Sequence, residues 1–429
     1  MFVNNDLVKS HIIHVFFIVF FMNNLIISLF YTPEPVARPH DLAVTLTQMG
    51  HRVNVITAYP NYPQGQIYPG YQERRAAWEE VDGVQVLRVP HRVDRSRSAL
   101  RRVLSYTSFS IAAVVHGLQK IDQPDVIWTY QIGLPGVLIS KLRKVPLVHE
   151  VQDLWPDWGR AANLGLRTGA YRLLERQEQM IYRQAQKIVT ITKGFKQELI
   201  KKGAEPTKIE IIPNWANDAV FRPVSPDADL AANEGFSGFF NVVYIGNVGA
   251  AQALGVVLGA ADLLRESPDI RIVIIGDGVE RAKLETRAQE MGLTNVRFLG
   301  SRPQNEVANY MALADVLFLH LQRDRVYEIT IPSKTYGYLA SGRPILAAAE
   351  GELAHLITEY GAGVVCAPEN AQALAQAIWQ FRDMPVTQRD QMGQAGYQAV
   401  SAHYSRINLG AQYSRVLEKA VESFQEGKR

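Results

Sequence analysis

Residues 327–344 read Tyr-Glu-Ile-Thr-Ile-Pro-Ser-Lys-Thr-Tyr-Gly-Tyr-Leu-Ala-Ser-Gly-Arg-Pro, a polar loop that runs into a short helix and out into an apolar strand. Pro332 bars helix before it, and Ser333 is available to cap a helix after it. Lys334 to Leu339 is expected to be helical. Gly342 and Pro344 stop that helix, and Ile345 to Ala349 forms the next strand. A loop entering a helix with a lysine in its first turn suits an anionic ligand, because backbone N–H groups and the helix dipole add to the ammonium. Pro332, Ser333 and Lys334 are therefore candidate anion contacts.

Outward from this segment, strands are expected at Asn241–Ile245, Arg271–Ile275, Val296–Leu299, Asp315–Leu319 and Gly363–Cys366, with helices between them. The loops after these strands carry Gly246, Asn247, Gly249 and Gln252, then Gly276, Asp277 and Gly278, then Ser301, Arg302 and Pro303. Glycines there let a backbone approach a ligand closely. The spacing Gly-x-x-Gly is not the dinucleotide fingerprint, which needs Gly-x-Gly-x-x-Gly and an acidic residue about twenty positions on.

The first half has the same alternation, with strands expected at Leu25–Phe30, Arg52–Thr57, Val84–Val89, Val126–Thr129, Leu147–Glu150, Lys187–Ile191 and Ile209–Ile212. After the first strand a proline-rich loop leads to Arg38, His40 and Asp41, with Asp41 expected to cap or open a helix. An Arg38–Asp41 loop ion pair is the plainer reading of those two residues. Tyr62 lies in an aromatic loop after the second strand. Asp153 follows the strand at 147–150, with Trp155 beside it, a pattern that suits a sugar. The stretch Arg92–Arg102 holds five arginines against one aspartate and leads into an amphipathic helix, which suits an anionic membrane surface as well as a solvated helix start.

At 429 residues the chain exceeds one ordinary domain. The alternation breaks in a Pro-, Asp- and Gly-rich stretch, so residues 22–215 and 241–403 are expected to be separate α/β domains. Residues 216–240 form the linker, and 404–429 a terminal helix packing back on the first domain. His11 to Met22 is apolar but short for a bilayer span. Residues 1–21 are expected to be an upstream extension, either a mis-called start or a membrane-seeking tail, because Met22 opens directly into a buried strand. One cysteine, Cys366, excludes a disulfide framework and a cysteine-based zinc site. A net charge of +3 gives no reason to expect bulk nucleic-acid binding. The ten histidines lack metal-ligand spacing, so no protein-held metal is expected.

Taken in order, Leu25-Ile-Ile-Ser-Leu-Phe-Tyr31, Glu34-Pro35, Arg38-x-x-Asp41-Leu42, Gly50-His-Arg-Val-x-Val-Ile-Thr57, Pro60-Asn-Tyr-Pro-x-Gly65, Gln152-Asp-Leu-Trp-Pro156, Ile212-Pro-Asn-Trp215, Ile245-Gly-Asn-Val-Gly249, Ile275-Gly-Asp-Gly-x-Glu280 and Pro332-Ser-Lys-x-Tyr336 carry a resemblance. The chain resembles family 4 glycosyltransferases, more narrowly the bacterial branch that builds O-antigen and colanic-acid-type chains. The likeness runs from residue 22 to about 420. It implies a GT-B fold, two Rossmann-like doubly wound domains facing across a cleft, with the donor on the second domain and the acceptor on the first. It also implies transfer with retention at the anomeric carbon, without metal or cofactor, from a UDP- or GDP-sugar to a lipid-linked saccharide on the inner face of the cell membrane.

On that resemblance Asp153, Asp41 and Lys334 are the catalytic candidates, and Arg38, His40, Tyr62 and Trp155 contact the acceptor. The glycine loops, Ser301–Pro303 and Pro332–Lys334 hold the donor. Two places depart from the family. Gly337 stands where many members carry a ribose-binding glutamate, which leaves the ribose contact to Glu328 or to backbone groups. Asn247 and Gln252 stand where many carry Arg and Lys. An epimerase of the same fold and an inactive partner of a glycan-assembly complex are the alternative readings.

Overall fold

The computed structural model describes residues 21–71, 75–93, 99–154, 168–217 and 220–427. The expected extension (save Phe21), Trp155 and the middle of the basic stretch lie outside the described residues.

The first sheet contains β1 (Asn23–Ser28), β2 (Arg52–Ala58), β3 (Ala77–Val81), β4 (Val84–Val89), β5 (Val126–Tyr130), β6 (Leu147–Val151), β7 (Lys187–Thr190) and β8 (Ile209–Ile211). Its spatial order is β3-β4-β2-β1-β5-β6-β7-β8. The second contains β9 (Phe240–Ile245), β10 (Ile270–Ile275), β11 (Val296–Gly300), β12 (Val316–His320), β13 (Ile345–Ala348) and β14 (Gly363–Cys366), in the order β11-β10-β9-β12-β13-β14. Every pairing is parallel except β3 with β4. The central strands are continuous Val/Ile/Leu runs because helices cover both faces of each sheet. Strand β3 is the one sequence reading omits. It alternates between half-buried and exposed positions and carries Glu79 and Glu80.

Both sheets reverse their winding order, at β1/β5 and at β9/β12. In such sheets ligands sit beyond the carboxyl ends of the strands at these points. Segments that follow the carboxyl ends of β7, β12 and β13 touch one another. Thr192 Oγ1 donates to Ile329 O (2.6 Å), and Gly194 N–H donates to Glu352 Oε1 (2.7 Å). Arg325 pairs with Glu198 at 2.6 Å. A Cβ on Gly194 would lie 2.5 Å from Ile329 Cβ, so only glycine permits this approach. The two sheets therefore present their carboxyl ends to a shared cleft.

The region read as a linker contains the helix Ala228–Asn233, capped by Asp227. The terminal helix Arg406–Glu426 places Leu409, Tyr413, Val416, Leu417 and Ala420 in one core with Ile26, Leu42, Val55 and Trp128 of the first sheet's layer. Where the chain crosses back, Ala216 and Ser405 form a parallel bridge.

Candidate active site

The glycine loops of the second sheet are laced together at its switch point. Gly246 N–H donates to Ile275 O (2.9 Å), Val248 N–H to Asp277 O (2.9 Å), and Gly276 N–H to Gly300 O (2.9 Å). Gly276 has φ +139°, and a Cβ there would stand 1.9 Å from Gly246 O. A Cβ on Gly278 would stand 2.2 Å from Val248 O. These glycines let one loop back pack on the other, a framework reason for the residue type beside any ligand reason. Asn247 and Asp277 are exposed at the rim. Asp277 Oδ1 accepts Gly278 N–H (2.8 Å), and Gln252 Oε1 accepts Gly249 N–H (3.2 Å), so both side chains brace their own loops.

Lys334 opens the helix Lys334–Ala340 and reaches this loop. Its Nζ lies 2.5 Å from the Tyr244 hydroxyl and 4.3 Å from that ring's centroid. A Cβ on Gly246 (φ +150°) would stand 2.8 Å from the same Nζ. Desolvation lowers the lysine from its ordinary value to about 7. The helix itself has only seven residues, and Ser333 occupies its N-cap position without a side-chain cap bond, contrary to expectation. The charge at this point belongs to the lysine more than to a helix dipole.

His320 closes the other side of the switch point. Gln252 O can only accept, so His320 Nδ1–H donates to it (2.7 Å) while Nε2 accepts Glu369 N–H (2.8 Å). Both ring nitrogens are used by backbone, which fixes a neutral tautomer, and burial lowers the imidazole pKa. Sequence reading missed His320, since nothing at local spacing marks it.

Other donor candidates lie differently from expectation. The Arg302 guanidinium is bound by Glu234 (3.0 Å), Tyr310 (2.7 Å) and Leu299 O (2.5 Å), which makes it a framework residue. Ser301 and Pro303 flank it on the exposed loop after β11. Exposed Glu328 ends the short helix Arg325–Glu328, with its backbone against Gly351. A Cβ on Gly337 would meet the Phe221 ring at 3.1 Å, so that position faces the segment between the domains. Pro332 O accepts Thr335 N–H (2.9 Å) and shapes the turn before Lys334.

On the first domain, Asp153 follows β6 and is solvent-accessible. Gln131, after β5, donates to its Oδ2 (2.6 Å). Crowding around the carboxyl raises its pKa by desolvation, with the Gln131 bond opposing. Arg38 and Asp41 require correction. The helix begins at Ala37, four residues before Asp41, because a proline at position 39 is tolerated in a first turn. Asp41 is buried, and Trp215 Nε1–H donates to its carboxylate (2.8 Å). Arg38 pairs not with Asp41 but with Glu150 (2.9 Å), donates to Ile212 O, Pro213 O and Tyr413 OH, and lies over Trp215. Both residues hold the framework and are withdrawn from direct acceptor contact.

His40 bonds Tyr31 OH (3.1 Å) and Asp82 (3.0 Å). Tyr62 is exposed and packs on Phe30, at the tip of a loop tied down by Glu34. Sequence reading passed over Glu34 as a site residue. Its carboxylate accepts the N–H groups of Tyr31 (3.1 Å), Asn61 (2.7 Å) and Tyr62 (2.8 Å), joining the loops after β1 and β2. Among the described residues no group of three His, Cys, Asp or Glu side chains is arranged to hold a metal, and no helix is long and apolar enough to cross a membrane.

Comparison with known proteins bears on this geometry. Residues 35–215 match the glycosyl transferase 4-like domain, and residues 229–399 match glycosyl transferases group 1. The chain is 30% identical over 390 residues to the putative colanic acid biosynthesis glycosyl transferase WcaI of Escherichia coli, covering 85% of this chain and 93% of that one. It is 31% identical over 254 residues to the probable glycosyltransferase WbjE of Pseudomonas aeruginosa, covering 58% and 60%. Among solved structures, sucrose-phosphate synthase from Thermosynechococcus elongatus superposes with a TM-score of 0.71 at 18% identity, covering 94% of this chain and 100% of that one. Anabaena HepE in complex with UDP-glucose superposes with a TM-score of 0.69 at 15% identity, covering 93% and 100%.

Proposed function

The chain belongs to the GT-B family 4 glycosyltransferases, in their surface-polysaccharide branch, and on that premise we propose that it moves a sugar from a UDP- or GDP-sugar to a lipid-linked saccharide with retention at the anomeric carbon. The observation that carries this reading is the convergence of Lys334 with the Gly246–Gly249 loop at the β9/β12 switch point.

In this reading the diphosphate of the donor lies over that loop and meets the Lys334 ammonium. A cation about 4 Å from a phosphate oxygen is worth on the order of 4 kcal/mol at an effective dielectric of 20. The gain grows as charge develops on the leaving oxygen, which is where stabilisation raises rate and not merely affinity. The bond from the anomeric carbon to the phosphate oxygen breaks and leaves the nucleotide diphosphate as the anion, while the acceptor oxygen forms the new glycosidic bond and its proton passes to the Asp153 carboxylate. Asp153, held by Gln131 at 2.6 Å, orients that hydroxyl.

Docking on an anionic membrane surface is supported by the helices Ala99–Lys120, Leu134–Arg143 and Thr168–Gln184. They expose Leu104, Ile111, Val115, Leu138, Leu142 and Leu173, with Arg101, Lys141, Arg172 and Arg176 on the same helices. Peripheral binding there would bring the acceptor-side domain to a lipid-linked substrate.

A thermal-shift screen of UDP, GDP and their sugars identifies the nucleotide, because binding to the folded state raises the midpoint by mass action. Lys334→Met is expected to abolish that shift and turnover while the fold survives; retained nucleotide binding overturns the diphosphate role. Asp153→Asn is expected to lower kcat by about 100-fold with donor binding intact. An unchanged rate removes Asp153 from proton chemistry.

A further inference from the structure

Lys334 is held by a group that neither composition nor motif singles out. Tyr244 lies in β9, two residues before Gly246, and its ring is buried. Its hydroxyl donates to Asn247 O (2.6 Å), which uses its one proton. The oxygen is then left to accept, and Lys334 Nζ is 2.5 Å away. The lysine donates to the phenol and the phenol donates to the backbone of the loop, so the ammonium is tied to the loop's position through a single side chain. Burial pushes the Tyr244 phenol pKa up, so the hydroxyl keeps the proton this relay needs.

We propose that Tyr244 is a positioning residue for the transfer, its hydroxyl fixing the Lys334 ammonium over Gly246 so that an incoming diphosphate meets a cation already in place. The proposal rests on the reading of Lys334 as the diphosphate contact. Preorganisation of this kind removes the reorientation that a free lysine side chain would undergo on binding. A Cβ at position 246, where a φ of +150° already favours glycine, would stand 2.8 Å from Nζ and push it from this place.

The arrangement governs when the lysine is charged. Desolvation holds Lys334 near 7. Tyr244 from β9 lies against it, and Tyr338 stands one turn along its own helix. Tyr338 OH is already committed, accepting Ile245 N–H (2.6 Å) and donating to Ile245 O (2.9 Å). Asp277, on the adjoining loop, accepts Gly278 N–H. Removing the Tyr244 oxygen takes away the acceptor that favours the ammonium over the amine, so the lysine pKa falls further. An anionic ligand does the reverse and draws a proton onto Lys334, so affinity for the diphosphate declines as pH rises above about 7.

Competitive acetylation across pH, read at Lys334 by peptide mass spectrometry in the full chain, reports this ionisation without any ligand. Wild type is expected to reach half its plateau reactivity near 7. Tyr244→Phe, which keeps the ring, is expected to move that midpoint down by at least about half a pH unit, roughly a threefold change in the ionisation constant. A folded Tyr244→Phe protein with an unmoved midpoint overturns the proposal. If Tyr244→Phe fails to fold, 3-fluorotyrosine at position 244 keeps the shape and weakens the acceptor, and its midpoint decides in the same way. Nucleotide shift assays on Lys334→Met with UDP and with GDP test the underlying reading separately. A shift that persists there removes the diphosphate role of Lys334, whatever Tyr244 does to its ionisation.

Discussion

Arg38 shows how much one side chain can be asked to hold. Its guanidinium is buried, paired with Glu150, bonded to two backbone carbonyls and to Tyr413 OH, and lies 3.8 Å from the Trp215 ring centroid. Tyr413 OH in turn donates to Glu150 Oε2. Burying such charges is costly, and removing one partner leaves the other uncompensated. Arg38→Met is therefore expected to destabilise the protein by about 3–5 kcal/mol, measured as a lowered urea midpoint with unchanged slope. Joint replacement of Arg38 and Glu150 by apolar residues should cost less than Arg38→Met alone, which a double-mutant cycle resolves. Asp41 belongs to the same framework through Trp215. Its place beside the loop after β1 follows from the helix Ala37–Gln48, and its carboxylate is taken by Trp215.

At the scale of elements, the loops after β1 and β2 depend on one carboxylate. Glu34 accepts three backbone N–H groups, and an amide in its place offers one acceptor oxygen instead of two. Glu34→Gln is expected to cost about 1–2 kcal/mol and, on the proposed placement of the acceptor on the first domain, to raise the acceptor KM several-fold while donor affinity stays unchanged. Steady-state kinetics with each substrate varied in turn checks this split. The same loops show what the sequence could tell. Strands such as β9 and β10 were legible because β-branched apolar runs bounded by glycine admit little else. The segment at Lys334 was legible because Pro332, Gly342 and Pro344 punctuate it. Strand β3 was not, since its alternation carries charge. The start of the helix at Ala37 was misplaced because a first-turn proline reads as a breaker. The Arg38–Glu150 pair joins residues 112 positions apart, and Tyr244 looks like any strand residue until Lys334 arrives from 90 positions away. Local spacing encodes elements, whereas these contacts exist only once the sheets are assembled.

At the scale of the whole molecule, the described residues span the cleft through polar contacts at its rim and through Ile329, which packs on the first domain's core. Glu352 receives Gly194 N–H from the opposite domain, and Arg325 reaches Glu198 from the same side. Polar inter-domain contacts of this kind permit relative motion of the domains. Glu352→Ala is expected to enlarge the radius of gyration seen by small-angle scattering and to raise the donor KM, with an unfolding midpoint close to wild type. A drop in the midpoint comparable to that of Arg38→Met would mean that Glu352 holds up a domain and not the closed arrangement.

The terminal helix carries a further consequence, for the order in which the protein is made. Domains generally fold as units while the chain leaves the ribosome, first half first. Here Tyr413 completes the Arg38–Glu150 network, and Leu409, Val416 and Leu417 complete the layer beneath β1 and β5. The first sheet is synthesised early yet lacks part of its core until the terminal helix has emerged. During that interval a nascent chain carries an exposed apolar groove and a buried ion pair with its third partner missing. Its vulnerability to proteases and chaperones therefore lasts until the helix Arg406–Glu426 has left the ribosome and docked.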